Sequence, residues 1–240
     1  MSTHYETLHP ADRYREAFVV EPPVAPLARH LWPRKPGCFI VHAATAAPLG
    51  TAPAAPDTKA RTLVPAQWGL VPHWVKSASD ARLRAPKLAH AKSDLASTGA
   101  AFRDAWLNGQ RCIVPMVAFY EDDLRSGKAV PTRVARVDGK PMGVAGLWAR
   151  WQGAGAESGE VIISYCLLTV NANNHALLHR YGQPGSEKSM PAILNEGAYD
   201  AWLTARPDKA KEFMRQYAAQ SLLANPVEKK ADKVPKGFLD

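Results

Sequence analysis

The sequence predicts an α+β domain built on a mainly antiparallel β-sheet. Three observations point there. Apolar runs of strand length outnumber the segments with helical spacing. Strand follows strand, without the alternation with helices that builds parallel sheets. Two breaks between runs, Ser126-Gly127 and Asp138-Gly139, read as hairpin turns, the second as a type I′ signal.

Taken in order, residues 10–19 (PADRYREAFV) have apolar spacing suited to a short helix starting after Pro10. The Pro-rich stretch 22–37 predicts an extended loop leading into a strand over 38–41. Residues 43–56, rich in Ala and Pro and almost uncharged, read as a surface loop outside the core. Strand character returns over 62–70 and ends in a Pro-containing turn. Residues 100–108 predict a helix closed by Gly109. The near-continuous apolar run 111–120 reads as one buried strand. Further strands are predicted over 132–137, 142–151 and 161–170, and helices over 195–203 and 208–220. No internal repeat is visible.

The chain has 240 residues, 46% of them apolar, enough for a sizeable core. No apolar run approaches the roughly 20 residues that span a bilayer. The first residues are polar and contain acids, unlike a signal or transit peptide. These features predict a soluble, cytoplasmic protein with no membrane partner. Cys38, Cys112 and Cys166 lie in apolar stretches without CxxC spacing, so three buried thiols are expected and no metal site of their own. The net charge of +8 and a pI of about 9.5 favour polyanionic partners. Part of that excess lies in the Lys-rich segment 228–238, which either helps hold nucleic acid or solubilises the chain end. A domain over 1–225 and a basic tail over 226–240 are expected.

Four segments carry more specific information: Trp68–Trp74 (WGLVPHW), Gln110–Glu121 (QRCIVPMVAFYE), Gly143–Trp151 (GVAGLWARW) and Thr169–Leu194 (TVNANNHALLHRYGQPGSEKSMPAIL). In this order they resemble the SRAP family, the SOS-response-associated peptidases that process abasic sites in single-stranded DNA. The resemblance implies a barrel-like sheet with peripheral helices, a role in the DNA damage response, and abasic single-stranded DNA as partner. No cofactor and no metal are expected, and the protein is read as a monomer.

It also implies a set of site residues. The family begins Met-Cys; the resemblance implies that Met1 is removed and that the amine and thiol of the exposed Cys close a thiazolidine on the abasic aldehyde, leaving a DNA–protein crosslink. Here the position is Ser2. Serine keeps an α-amine, whose pKa of about 7.7–8.0 leaves a nucleophilic fraction at neutral pH. It lacks the thiol, so a reversible imine is the expected product. His90 stands where the family has an Asn that holds the sugar, and Lys92 keeps a basic charge for a phosphate. Glu121 matches the family's proton-transferring Glu. Gly182 stands where the long form of the family has a His, with His175 and His179 nearby as replacements, and Ser189 stands where Arg is usual. Three of four catalytic positions are thus substituted.

The expected catalytic set is Ser2, His90 and Glu121. DNA contacts are expected from His4, Trp68, Trp74, Lys92, Arg111 and Arg180, with Arg125 a further phosphate candidate. Trp148 is read as core. Two alternatives stay open: a repurposed enzyme with a metal held by His4, His90 and Glu121, and a non-catalytic interaction module.

Overall fold

The computed structural model describes residues 4–46, 49, 61–153 and 159–227. Its strands are β1 (Tyr5–Glu6), β2 (His30–Leu31), β3 (Pro36–His42), β4 (Arg61–Trp68), β5 (His90–Lys92), β6 (Arg111–Met116) and β7 (Ala118–Asp123). They continue as β8 (Val130–Arg136), β9 (Met142–Gln152), β10 (Val161–Asn171), β11 (Ser189–Pro191), β12 (Ile193–Leu194) and β13 (Leu222–Pro226). Four short helices lie around them: α1 (Arg13–Phe18), α2 (Ala78–Arg84), α3 (Arg103–Leu107) and α4 (Tyr199–Leu203).

Five strands close on themselves. β4 pairs β3, β3 pairs β6, β6 pairs β9, β9 pairs β10, and β10 returns to β4. Closure removes free edges from these strands. Every pairing in the ring is antiparallel except β10 with β4. Their long apolar runs reflect burial on both faces: Cys38–Val41 and Cys112–Val114 are all buried. The α+β class with a mainly antiparallel sheet is therefore observed, in barrel form with peripheral helices.

A second sheet, in the order β13-β8-β7-β1-β2, packs beside the barrel. The Tyr5 and Tyr165 hydroxyls join the two at 2.5 Å. Gly37 permits this approach, since a Cβ there would sit 2.2 Å from the Tyr165 hydroxyl. Trp68, Trp106 and Trp202 are fully buried, and Trp148 is buried as expected. Burying an indole N–H without a partner is costly. Trp68 donates to the Ala89 carbonyl at 3.0 Å and Trp202 to that of Cys112 at 2.8 Å. The three cysteines are buried and free. No helix among the described residues is long and apolar enough to cross a membrane.

Several expectations are corrected. The run 111–120 is two strands in two sheets. At Val117 the chain leaves the barrel, and its N–H goes to the Glu6 carbonyl at 2.9 Å. Val117 is itself apolar and half-buried, so apolarity alone hides the break. Asp138-Gly139 does not close a type I′ hairpin: only Gly139 has positive φ (71°), and β8 and β9 belong to different sheets. Residues 208–220 form short 3₁₀ turns at Ala210–Phe213 and Ala219–Ser221. Phe213, Met214 and Tyr217 each pack on the core separately, and that packing overrides the helical spacing. The described part of the uncharged loop, Ala43–Ala46 and Leu49, reaches the core, with Ala46 and Leu49 buried. The rest of that loop and residues 228–240 lie outside the described residues.

Candidate functional site

The site gathers where the second sheet meets the barrel. β1 lies antiparallel to β7, with Tyr5 opposite Phe119 and Glu6 opposite Ala118. The pairing extends to His4, whose carbonyl accepts the Tyr120 N–H at 3.0 Å. The described chain is thus heading toward Glu121 where it reaches His4. Ser2 lies outside the described residues.

Glu121 is 4% exposed, and burial pushes its carboxyl up to about 7, with the nearby Lys188 ammonium pulling the other way. Such a carboxyl exchanges a proton near neutral pH, as a general acid–base must. Glu6, on the same strand pair, is driven the other way. Burial opposes its ionisation, but the Arg133 guanidinium and the Tyr120 hydroxyl outweigh that and hold it down at about 2. Arg133 grips Glu6 with two hydrogen bonds of 2.8 and 3.1 Å, and the Tyr120 hydroxyl donates to the same carboxylate. This anchors β7 just before Glu121.

Aromatic rings crowd the same end. His4 stacks on Tyr120 at 3.9 Å and on Trp32 at 4.5 Å, with interplanar angles of 14° and 13°. Burial, helped by neighbouring His30, pulls the His4 imidazole down to about 4, so it is neutral at pH 7. His90 lies on β5 beside β10 and sits edge-on to Trp68 at 5.4 Å. Burial pulls it down to about 3, again neutral. A neutral imidazole can hold a sugar hydroxyl but carries no charge for a phosphate.

Lys92 follows two residues on, lining a cavity of about 280 Å³ with Asn171, Glu187 and Ser189. Its ammonium is already engaged by the Glu187 carboxylate, which Asn171 also holds at 3.0 Å. Lys92 therefore offers a phosphate a contact only in exchange for Glu187.

A second cavity, of about 570 Å³, is lined by Arg125, His179, Arg180, Gly182 and Lys188, among others. Gly182 has φ of +74° and open space at its missing Cβ, and its N–H donates to the Asp122 carbonyl at 2.8 Å. The position where the resemblance places a His is thus an open corner beside Glu121. Lys188 reaches into it, donating to the Gln183 carbonyl at 2.5 Å. His179 is exposed and lines this cavity. His175 is not available as a replacement: it is buried, its Nδ1 accepts from Leu177 and Leu178, and its Nε2 donates to the Tyr217 carbonyl at 2.8 Å.

Two expected DNA contacts are corrected. Trp68 is fully buried, so it supports Tyr5 and His90 from beneath and offers no face to a base. Arg111 is 2% exposed, with Trp106 and Trp202 each within 5.6 Å of its guanidinium. It is a buried cation held by indole rings, out of reach of phosphate. Trp74 is 40% exposed, with Arg84 over its ring at 5.2 Å. Arg180 is exposed at the basic cavity, whereas Arg125 is tied to Asp123 at 2.6 Å. The metal alternative finds no support: no group of three His, Cys, Asp or Glu able to hold an ion exists among the described residues.

Sequence reasoning missed Trp32, Glu6, Arg133 and Lys188. Lys188 had a signal, since it ends the Pro-Gly-Ser-Glu-Lys insert. The others become relevant only through strand pairing.

The family model described as SOS response associated peptidase (SRAP) matches residues 1–234. The abasic site processing protein HMCES of Gallus gallus is 25% identical over 193 residues, covering 71% of this chain and 54% of its own length. HMCES of Mus musculus is 25% identical over 174 residues, covering 61% and 46% respectively. The chain thus spans about half the length of these curated relatives. A crystal structure of a Bordetella bronchiseptica protein aligns with a TM-score of 0.81 at 38% identity, over 95% of this chain and 100% of the other. One from Bacteroides thetaiotaomicron, at 19% identity and a TM-score of 0.73 over 94% and 92%, shares the fold.

Proposed function

The chain belongs to the SOS response associated peptidase (SRAP) family, and from that premise we propose that it binds single-stranded DNA and engages abasic sites without forming a durable crosslink. One observation carries most weight: a buried carboxyl, Glu121, raised to about 7, lies on β7 along the direction in which the described chain runs back from Glu6 to His4. A reacting amine near such a group has a proton acceptor and donor at hand.

In this reading Met1 is removed by hydrolysis of the Met1–Ser2 peptide bond, and the Ser2 α-amine so exposed attacks the sugar aldehyde. The carbinolamine loses water, with Glu121 delivering the proton to the departing hydroxyl, and an imine results. Cysteine would add its thiol across that C=N bond. The Ser2 hydroxyl is a poor trap, so the imine hydrolyses or proceeds to β-elimination. Lys188 keeps part of the Glu121 population ionised. His90, being neutral, takes the sugar by hydrogen bonding, and Lys92 and Arg180 take phosphates. His4 and Trp74 complete the proposed contacts. The expected domain end at 225 is corrected by β13, in which Pro226 pairs with Thr132 and the Val227 N–H donates to the Pro131 carbonyl at 2.8 Å, so the proposed domain runs to 227 and the basic tail follows it.

The test is incubation with an abasic-site oligonucleotide, with and without borohydride, resolved on a denaturing gel. Borohydride should trap a covalent complex that is scarce without it, because hydride reduces the imine to a stable secondary amine. Ser2→Cys should raise crosslinking without reductant. A heat-stable crosslink from the unchanged protein without borohydride would overturn the impaired chemistry. No trapping by either protein would overturn engagement of the aldehyde.

A further inference from the structure

Beside Glu121 a column of rings ends on an uncovered face. Tyr120 is buried, His4 lies on it, and Trp32 lies on His4. Each outer ring is nearly parallel to the imidazole, and among the described residues no Tyr120–Trp32 ring contact accompanies the other two, so these rings flank opposite faces of the imidazole. Trp32 is 47% exposed, leaving its outer face in solvent.

The turn that carries Trp32 is tightly held. Lys35 N–H closes it on the Trp32 carbonyl at 3.1 Å. Arg34 N–H donates to the Trp68 carbonyl at 2.7 Å, and Trp68 N–H donates to the Lys35 carbonyl at 3.2 Å. Arg34 adopts φ of +73°, a conformation that a non-glycine residue keeps only where its surroundings impose it. Arg34 and Lys35 are exposed, and neither forms an ion pair among the described residues. A rigid turn therefore presents one flat aromatic surface and two uncompensated cations together. That pairing matches an unpaired base, with its π-face, and the phosphates on either side of it. A neutral His4 keeps the column from carrying a buried charge.

We infer that the outer face of Trp32 is a stacking platform for a nucleobase of the bound single strand, with Arg34 and Lys35 holding the adjacent phosphates. This deepens the DNA-binding reading and rests on it.

The experiment uses the full chain and single-stranded oligonucleotides containing one tetrahydrofuran abasic analogue, with 2-aminopurine placed at successive neighbouring positions. One position should lose fluorescence on binding, as stacking quenches it. Trp32→Ala should abolish that quenching and weaken binding roughly ten-fold, and Trp32→Phe should restore much of both. Arg34→Ala with Lys35→Ala should weaken binding for every oligonucleotide and flatten its salt dependence, leaving the quenching at saturation intact. If the unchanged protein binds and Trp32→Ala binds and quenches equally well, the platform is overturned while DNA binding stands. If Trp32→Ala weakens duplex binding as much as single-strand binding, the stacking assignment is overturned, because duplex bases are not free to stack. If the unchanged protein binds no single strand at low salt, the functional reading itself fails, and the platform with it.

Discussion

Glu6 and Arg133 face each other across the middle strand of the second sheet, joined by two hydrogen bonds of 2.8 and 3.1 Å. Glu6 lies on β1 and Arg133 on β8, and both strands pair with β7. The pair therefore clips the short β1 to a hairpin far away in sequence. Arg133→Ala should cost about 2–3 kcal/mol, the range for a hydrogen-bonded charge left without its partner. That is below the figure for a fully buried pair, because Arg133 keeps about a third of its surface in solvent. Urea unfolding measures it, and a loss under about 0.5 kcal/mol would show that water replaces the guanidinium.

Acid should release the same clip. The Glu6 carboxyl is held down at about 2 when folded, against 4.5 for its ordinary value. Its contribution is present above pH 4.5 and is lost as pH falls toward 2. The melting temperature of the unchanged protein should fall through that window. Glu6→Gln should be less stable at pH 7 and lose less on acidification. Parallel curves for the two proteins would remove Glu6 from the acid response.

Glu121 should act with the opposite sign. Its folded value is raised to about 7, so between pH 4.5 and 7 the folded chain keeps a proton that the unfolded chain releases. Stability should decline as pH rises across that range. Glu121→Gln should flatten this slope, by about 1–3 kcal/mol between its ends. Melting curves at half-unit pH steps would show it, and an unchanged slope would mean the carboxylate is well solvated.

Lys92 and Glu187 give a binding prediction. Glu187→Gln frees the Lys92 ammonium, so single-stranded DNA should bind more tightly and with a steeper salt dependence. Lys92→Glu should weaken binding. Anisotropy titrations at two salt concentrations separate these outcomes, and indifference to both changes would take the phosphate contact away from Lys92.

The barrel was legible because its strands are long and buried on both faces, so 38–41, 142–151 and 161–170 stand out as apolar runs. The resemblance pointed to Glu121 within the segment 110–121, and to Lys92 outside the four segments, two residues after His90. What escaped was whatever depends on a partner. Two-residue strands such as β1 and β12 have no periodicity of their own and exist because another strand lies beside them. Val117 carries no sign that one sheet ends and another begins there. Depth was equally hidden: Trp68 and Trp32 are alike as residues, yet one is fully buried and the other is 47% exposed. Arg111 looked like a surface cation because the sequence does not show that Trp106, five residues before it, and the distant Trp202 fold around its guanidinium.

The placement of β1 has a consequence for how the molecule assembles. Glu6 and Tyr120 are 114 positions apart, and among the described residues β1 has only β2 and β7 for partners. A two-residue strand cannot hold its shape alone, and closing so long a loop is entropically unfavourable until the receiving edge exists. On the ribosome, His4–Glu6 must wait while more than a hundred further residues are made and the β7–β8 hairpin folds. The segment bearing the candidate chemistry is thus synthesised early and docked late. By the same reasoning it should be among the first to detach during native-state fluctuations, so its amides should exchange with solvent well before those of the closed barrel.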